Sequence, residues 1–292
     1  MTRISIDAER CTLCGLCIPD CVRGILAAGE RTVEITDPSL CIQCGHCRAL
    51  CPVDAPKYEG LDEMEFQEIS GAPALPDADE LLFLFRSRRS IRQYKKSLSV
   101  SRDAAERIIE AGRFAPTGGN RQAVSYVAVL QAEKLASVRQ LTIDILAGYA
   151  DRIDEALRLH REEGKAIPRE FRIRRVYGKR WKELKALLLK GDDRLFYNAP
   201  AFMALHLNPA ESSSAAVDAG LAAMQMVLMA ETLGLGTCFC GFFCFAVAES
   251  LQLKEALGIP ARHVVPVSFV LGHPDVNYHK LVARSRPRIN WF

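Results

Sequence analysis

Much of what this chain lacks narrows what it can be. No apolar run reaches the length of a membrane span; the most apolar stretch, 215–245, is interrupted by Asp218 and Glu231 and reads as a buried helix followed by a strand. Membrane is therefore not an expected partner. The net charge is only +3 over 292 residues and no recognition motif is present, which argues against nucleic acid. Gly234-Leu235-Gly236 lacks the third glycine and the strand–turn–helix setting of a dinucleotide fingerprint, so no Rossmann site is expected. Nothing in residues 1–7 resembles a signal peptide, which leads to the expectation of a reducing cytoplasm with free thiols. His206, His263, His273 and His279 have no partner visible in the sequence, and none is assigned catalysis. Apart from one duplicated cysteine motif there is no repeat and no low-complexity tract.

Cysteine, by contrast, is plentiful. Eight of the eleven fall in two copies of one pattern, Cys11-x2-Cys14-x2-Cys17-x3-Cys21 and Cys41-x2-Cys44-x2-Cys47-x3-Cys51-Pro52. Structural zinc also uses Cys-x2-Cys pairs, but normally two separated pairs rather than a repeated triplet with a trailing cysteine. The pattern is similar to that of the two-cluster bacterial ferredoxins. In such runs three thiolates wrap one [4Fe–4S] cluster and the fourth ligates the other. The resemblance implies Cys11, Cys14, Cys17 and Cys51 on one cluster, and Cys41, Cys44, Cys47 and Cys21 on the second. Val22 follows Cys21 where Pro52 follows Cys51, so the first run is the less typical. His46, inside the second run, is read as exposed or as a hydrogen-bond partner of the cluster.

Charge divides the chain. Residues 1–80 hold 6 Lys and Arg against 15 Asp and Glu; the remainder holds 32 against 20. Segment 61–80 carries seven of the acids with Gly71, Pro73 and Pro76, as a linker or a short acidic helix and connector would. The acids fit a solvated surface, or a strip lying against the basic remainder. The expected domains are 1–60 for the clusters, 61–79 as acidic linker and 80–292 as a second domain. That second domain reads as α+β, with a helix at 79–87 and another capped by Ser101 and ending near Arg113. Strands are expected at 125–130, 202–207, 237–242 and 264–271. A helix at 215–229, apolar on nearly all sides, must be buried in a core or a subunit interface.

Three segments point to a ligand. Arg86-Ser87-Arg88-Arg89-Ser90-Ile91-Arg92 groups guanidinium groups suited to phosphate. Ala115-Pro116-Thr117-Gly118-Gly119-Asn120-Arg121-Gln122 offers glycines for close approach and amides for a polar ring edge. Arg284-Ser285-Arg286 adds further positive charge. In this order they resemble the nitroreductase family of FMN flavoproteins, as does Gly234-Leu235-Gly236-Thr237-Cys238-Phe239-Cys240-Gly241. The resemblance implies a central mixed sheet flanked by helices in an intertwined homodimer, with FMN at the interface. Arg88, Arg89, Ser90 and Arg92 would then hold the phosphate, the ribityl chain or the pyrimidine edge, and Arg284 and Arg286 would complete the phosphate pocket. Pro116, Thr117, Gly118, Gly119, Asn120 and Gln122 would reach the FMN of the other subunit. Gly241 and Phe242 would offer backbone N–H groups near flavin N5 and O4, although Phe242 stands where a second glycine is common. The 215–229 helix would be dimer core.

The implied activity is an FMN- and iron-sulfur-dependent oxidoreductase that reduces a small, aromatic or nitro substrate, with electrons entering through the clusters from a ferredoxin or NAD(P)H. No side chain is assigned as catalytic, since the cofactors carry the chemistry. Alternatives are a relay flavoprotein between redox partners, or specialised chemistry such as dehalogenation, dehydrogenation or flavin fragmentation. Two features stay open. Cys238, Cys240 and Cys244, expected on an apolar strand, fit buried filler or the wall of the flavin pocket. The basic segment 152–194 fits a solvated helical face with i,i+4 partners, or a lid selecting an anionic or aromatic substrate.

Overall fold

The computed structural model describes residues 4–292 and divides them into two compact units, one ending at Pro76 and joined by Gly119–Arg121, the other holding the rest.

The first unit is a small internal repeat. Its elements are β1 (Ile4–Ile6), α1 (Cys17–Asp20), β2 (Leu26–Ala28), β3 (Val33–Ile35), α2 (His46–Ala49) and β4 (Pro56–Tyr58). β1 pairs antiparallel with β4, and β2 with β3. Ile4, Ile25, Leu26, Val33, Cys47 and Tyr58 form its core, with Cys11, Cys17, Cys21 and Cys41 packed against them. A domain this small buries little apolar surface, and cysteine side chains supply much of what packs around its core.

The second unit contains α3 (Ala78–Ser87), α4 (Arg102–Arg113), β5 (Ser125–Val129), α5 (Ala132–Glu163), α6 (Arg169–Leu189), β6 (Ala201–Leu207), α7 (Ala215–Thr232), β7 (Gly236–Phe239), α8 (Gly241–Ala248), α9 (Leu251–Ala256) and β8 (Val264–Gly272). Both early helices start where their caps predict. Asp77 and Glu80 form a reciprocal capping box on α3, and the Ser101 side chain accepts from Ala104 N on α4. The sheet order is β5-β6-β8-β7, and every strand pair in it is antiparallel. The parallel part of the expected mixed sheet is confined, among the described residues, to an isolated bridge between Ser90 and Thr237.

All seven residues of β6 are buried. Ala201, Met203, Leu205 and Leu207 face one layer with α4 and α7, whereas Phe202 and Ala204 face the layer that includes α5, α6, α8 and α9. The period-two alternation of a strand is thus apolar on both sides, as a central strand between two helical layers requires. Gly112 permits α4 to approach α7, because a Cβ there would stand 2.8 Å from Met226.

One expectation needs correction. The strand expected at 237–242 ends at Phe239, and Gly241 opens α8, so Cys240 precedes a helix and Cys244 lies within it. A short run that is apolar on every side carries no period to separate strand from helix. The apolar helix α7 buries only one face: Ala219, Ala222, Ala223, Met226, Val227 and Ala230 are buried, but Val217, Leu221 and Met224 are exposed in the single chain. No helix among the described residues is long and apolar enough to cross a membrane.

The histidines without visible partners include one pair. His206 on β6 and His263 stand with their Nδ1 atoms 2.9 Å apart. Burial, and secondarily His263, pushes the His206 pKa down, so the fold favours its neutral form. A depressed folded pKa gives a contribution that is complete above the unfolded value, about 6.5, and lost as pH falls below it. Urea titrations should therefore show stability declining on acidification from that value, with a shallower decline in His206→Asn.

Candidate functional site

The two cysteine runs fold into matching loops. Leu13 and Gly15 in the first, and Gln43 and Gly45 in the second, occupy the same positions and all have positive φ, from 52° to 78°. Left-handed backbone at a non-glycine residue is costly, and its repetition at Leu13 and Gln43 marks a curvature that both loops require. The result is two cavities. Cys11, Cys14, Cys17 and Cys51 line one; Cys21, Cys41, Cys44 and Cys47 line the other. These are the two sets implied by the motif, including the exchange of the fourth cysteine. No disulfide forms among the eight. Among the described residues, no three His, Cys, Asp or Glu side chains converge tightly enough for a single metal ion, and a cavity walled by four thiols suits a polynuclear cluster better.

Burial pushes the Cys17 and Cys41 thiols up, and Cys47 to about 11. Cys11 is held low, first by the Thr32 hydroxyl. The Tyr58 hydroxyl lies 2.9 Å from Cys47 Sγ, and Ala55 N donates to Cys51 Sγ at 3.3 Å. His46 is exposed and pairs with Asp20 at 3.1 Å, so its ring Nδ1 faces a carboxylate. Arg48 is buried between Asp54 at 2.7 Å and Glu63 at 3.1 Å.

In the second unit the arginine loop is laid along the sheet edge. Ile91 N donates to Thr237 O at 2.9 Å beside the Ser90–Thr237 bridge, and the Tyr94 hydroxyl donates to Ile91 O at 2.7 Å. This anchoring brings Arg86, Arg88 and Arg89 to a cavity of about 530 Å³ shared with Phe85, Met224, Phe239, Val282, Ala283 and Arg284. Burial, then the neighbouring Arg89, pushes the Arg88 pKa down. Arg89 Nε is buried without a hydrogen-bond partner. Glu231 stands nearby, and burial raises its pKa against the pull of Arg88 and Arg89. Crowded, partly desolvated guanidinium groups with an orphaned donor fit an anionic ligand such as a phosphate. Arg92 lies over the Tyr197 ring at 5.7 Å rather than in this cavity, and Arg286 is exposed and outside it.

The glycine segment is shaped by a residue that sequence reasoning treated only as a break in an apolar run. Asp218, buried in the first turn of α7, accepts from Gly118 N at 3.0 Å and from Ser212 Oγ at 2.6 Å. A Cβ at Gly118 would stand 1.9 Å from Ser213 Oγ, so a larger residue there requires the Ser213 hydroxyl to turn away. Thr117 Oγ1 accepts from Gln122 N. Asn120 belongs with the first unit, where its amide donates to Ile42 O and Gln43 O. Pro116–Gln122 do not line the arginine cavity of their own chain. Asp193 was also missed. It is buried, receives Leu195 N, Phe196 N and Asn198 N, and pairs with Arg139 at 3.0 Å, fixing the turn that carries Tyr197.

Gly241 and Phe242 open α8, and Phe242 packs edge-on against Tyr177 and Trp181 of α6. Trp181, Phe245 and Tyr149 continue the cluster, and Arg174 caps it 4.5 Å from the Phe245 ring. On the outer faces of α5 and α6, Arg158 pairs with Glu155 and Glu162, and Lys182 with Asp151 and Asp154. Cys238 and Cys240 are buried and Cys244 lies against Ser268; burial raises all three thiols, as expected of small apolar filler.

The nitroreductase family model matches residues 85–273. The chain belongs to the nitroreductase family. A 4Fe-4S binding domain model matches residues 34–57, which contain the second cysteine run. The chain is similar to a 4-nitrobenzoate reductase of Nocardioides sp. (strain LMS-CY), 28% identical over 232 residues that span 74% of this chain and 88% of that protein. A shorter stretch is 34% identical over 51 residues to an uncharacterized ferredoxin-like protein of Haemophilus influenzae (strain ATCC 51907 / DSM 11121 / KW20 / Rd), covering 15% of this chain and 58% of that one. Among solved structures, a nitroreductase with bound FMN from Desulfitobacterium hafniense DCB-2 superposes with a TM-score of 0.52 at 23% identity, covering 72% of this chain and 97% of that chain, a likeness of fold. A nitroreductase-family oxidoreductase thus carries a ferredoxin-type 4Fe-4S domain at its N-terminal end.

In this member of the nitroreductase family the Asp218 carboxylate is the brace of the glycine segment. Asp218→Ala leaves the Gly118 N–H and the Ser212 hydroxyl without their acceptor. It should cost about 1–3 kcal/mol in a denaturation curve, with Asp218→Asn milder because its amide oxygen still accepts from Gly118.

Proposed function

We propose that this chain is an FMN-dependent oxidoreductase that receives electrons through two [4Fe–4S] clusters and reduces a small aromatic or nitro substrate as a homodimer. The observation that carries this reading is the pair of four-thiol cavities with one loop conformation repeated, in the same chain as an arginine cavity suited to phosphate. When bound, FMN stores two electrons and releases them singly or as a hydride, whereas each cluster passes one at a time.

The protein's part is to bind and orient. Cys11, Cys14, Cys17 and Cys51 would hold one cluster, and Cys21, Cys41, Cys44 and Cys47 the other. Arg88, Arg89 and Arg284 would hold the FMN phosphate, with Arg89 Nε gaining the acceptor it lacks. Ser90 and Arg92 follow on the same anchored loop, toward the rest of the cofactor. Gly241 and Phe242 begin a helix, where backbone N–H groups have no intrahelical acceptor and can donate to a ligand. Exposed Phe83 and Phe85 of α3 lie on the same unit as exposed Val217, Leu221 and Met224 of α7, and Phe85 and Met224 also line the arginine cavity. A second subunit covering that face would shield both the apolar side chains and the cofactor, which supports FMN at a dimer interface. The exposed Tyr177 ring, packed edge-on against Phe242, supports a planar substrate. A ferredoxin or NAD(P)H would be the donor, and the acidic N-terminal part suits a basic redox protein.

Cys14→Ser tests the route. In protein that keeps its FMN and its dimer, turnover driven by a one-electron donor should fall to background, while oxidation of chemically reduced FMN by the substrate continues at the unmodified rate. Wild-type turnover from the one-electron donor would defeat the proposal.

A further inference from the structure

We infer that the Tyr58 hydroxyl donates a buried hydrogen bond to the Cys47 thiolate and raises the reduction potential of the cluster held by the second cysteine run, a phenol donor that the first-run cluster lacks. The inference rests on the reading of the eight cysteines as ligands of two clusters.

The geometry is specific. Tyr58 ends β4 opposite Ile4, is 7% exposed, and places its hydroxyl 2.9 Å from Cys47 Sγ, itself 7% exposed. The ring is held from behind. Phe66 stacks on it at 6.3 Å with an interplanar angle of 13°, and the Arg48 guanidinium covers Phe66 at 5.7 Å. Asp54 and Glu63 in turn fix Arg48. The hydroxyl is therefore preset toward sulfur.

Between a free thiol and a phenol either atom can donate. A cysteine that ligates iron is a thiolate without a proton, so the phenol must be the donor. A phenol, with an ordinary pKa of about 10, keeps its proton at neutral pH. Reduction adds one negative charge to the cluster and its sulfurs. A donor aimed at one of them stabilises the reduced form more than the oxidised form, and more strongly where water is excluded. Hydrogen bonds to the sulfurs are among the recognised determinants of cluster potential.

The internal repeat supplies the contrast. Tyr58 stands seven residues after Cys51, and the residue seven after Cys21 is Ala28, which has no donor. Around the first set, the Thr32 hydroxyl acts on Cys11 and Ala55 N on Cys51, both in partly buried surroundings. No tyrosine lines that cavity.

The test is an anaerobic, EPR-monitored redox titration of the full-length holoprotein, with iron and sulfide measured on the same samples. In Tyr58→Phe the ring packing is kept and the donor removed. One of the two one-electron waves should move to lower potential by a roughly tenfold change in its equilibrium constant, about 59 mV, with the other unmoved. Site-specific 3,5-difluorotyrosine at position 58, a stronger donor in the same ring, should move that same wave upward. Two unmoved waves, or two waves moved equally, with both clusters present, overturn this inference alone. Wild-type protein with a single cluster overturns it together with the reading beneath it.

Discussion

Every side chain of β6 is buried, alternately against the α4–α7 layer and against the layer that includes α5, α8 and α9, so the strand can only be central. That constraint fixes β8 beside it and β7 at one edge of the sheet. The arginine loop is then hung on β7 through the Ile91–Thr237 hydrogen bond. Arg88 and Arg89 are thereby crowded beside Arg284, in a cavity whose positive charge an anion would relieve. The positive site is thus a consequence of how a doubly buried strand organises its neighbours.

The first unit obeys a different constraint. It is too small to rely on apolar packing, and cysteine side chains supply much of what surrounds its core. Left-handed residues at matching positions in both loops are tolerated because the curvature turns the thiols toward one cavity each. Metal binding and folding are expected to be coupled in such a unit. Tyr58, with Ala28 at the matching position, is one of the points at which the two halves of the repeat differ.

A good part of this was legible in the sequence. The cysteine spacing implied the two four-thiol sets because the motif itself specifies the exchange of the fourth cysteine. Ser101 announced α4 because an N-cap is also local, and the Arg88–Arg92 and Pro116–Gln122 motifs pointed to the right family. What escaped depends on tertiary placement. His206 and His263 are 57 residues apart and meet across the fold. Asp218 looked like a flaw in an apolar helix until Gly118 was seen to donate to it. α8 was mistaken for the end of a strand because Phe242, Phe243, Cys244 and Phe245 are apolar in either geometry. The exposed stripe of α7 was hidden for the same reason: a helix apolar on all sides does not reveal which side its own chain covers.

On the proposed reading, one-electron carriers and a two-electron flavin share this chain. Anaerobic purification followed by quantification of iron, acid-labile sulfide and FMN tests it most directly. About eight irons, about eight sulfides and about one FMN per chain are expected, as two cubanes and one flavin require. About four irons or none, or protein that neither retains nor takes up FMN, would contradict it.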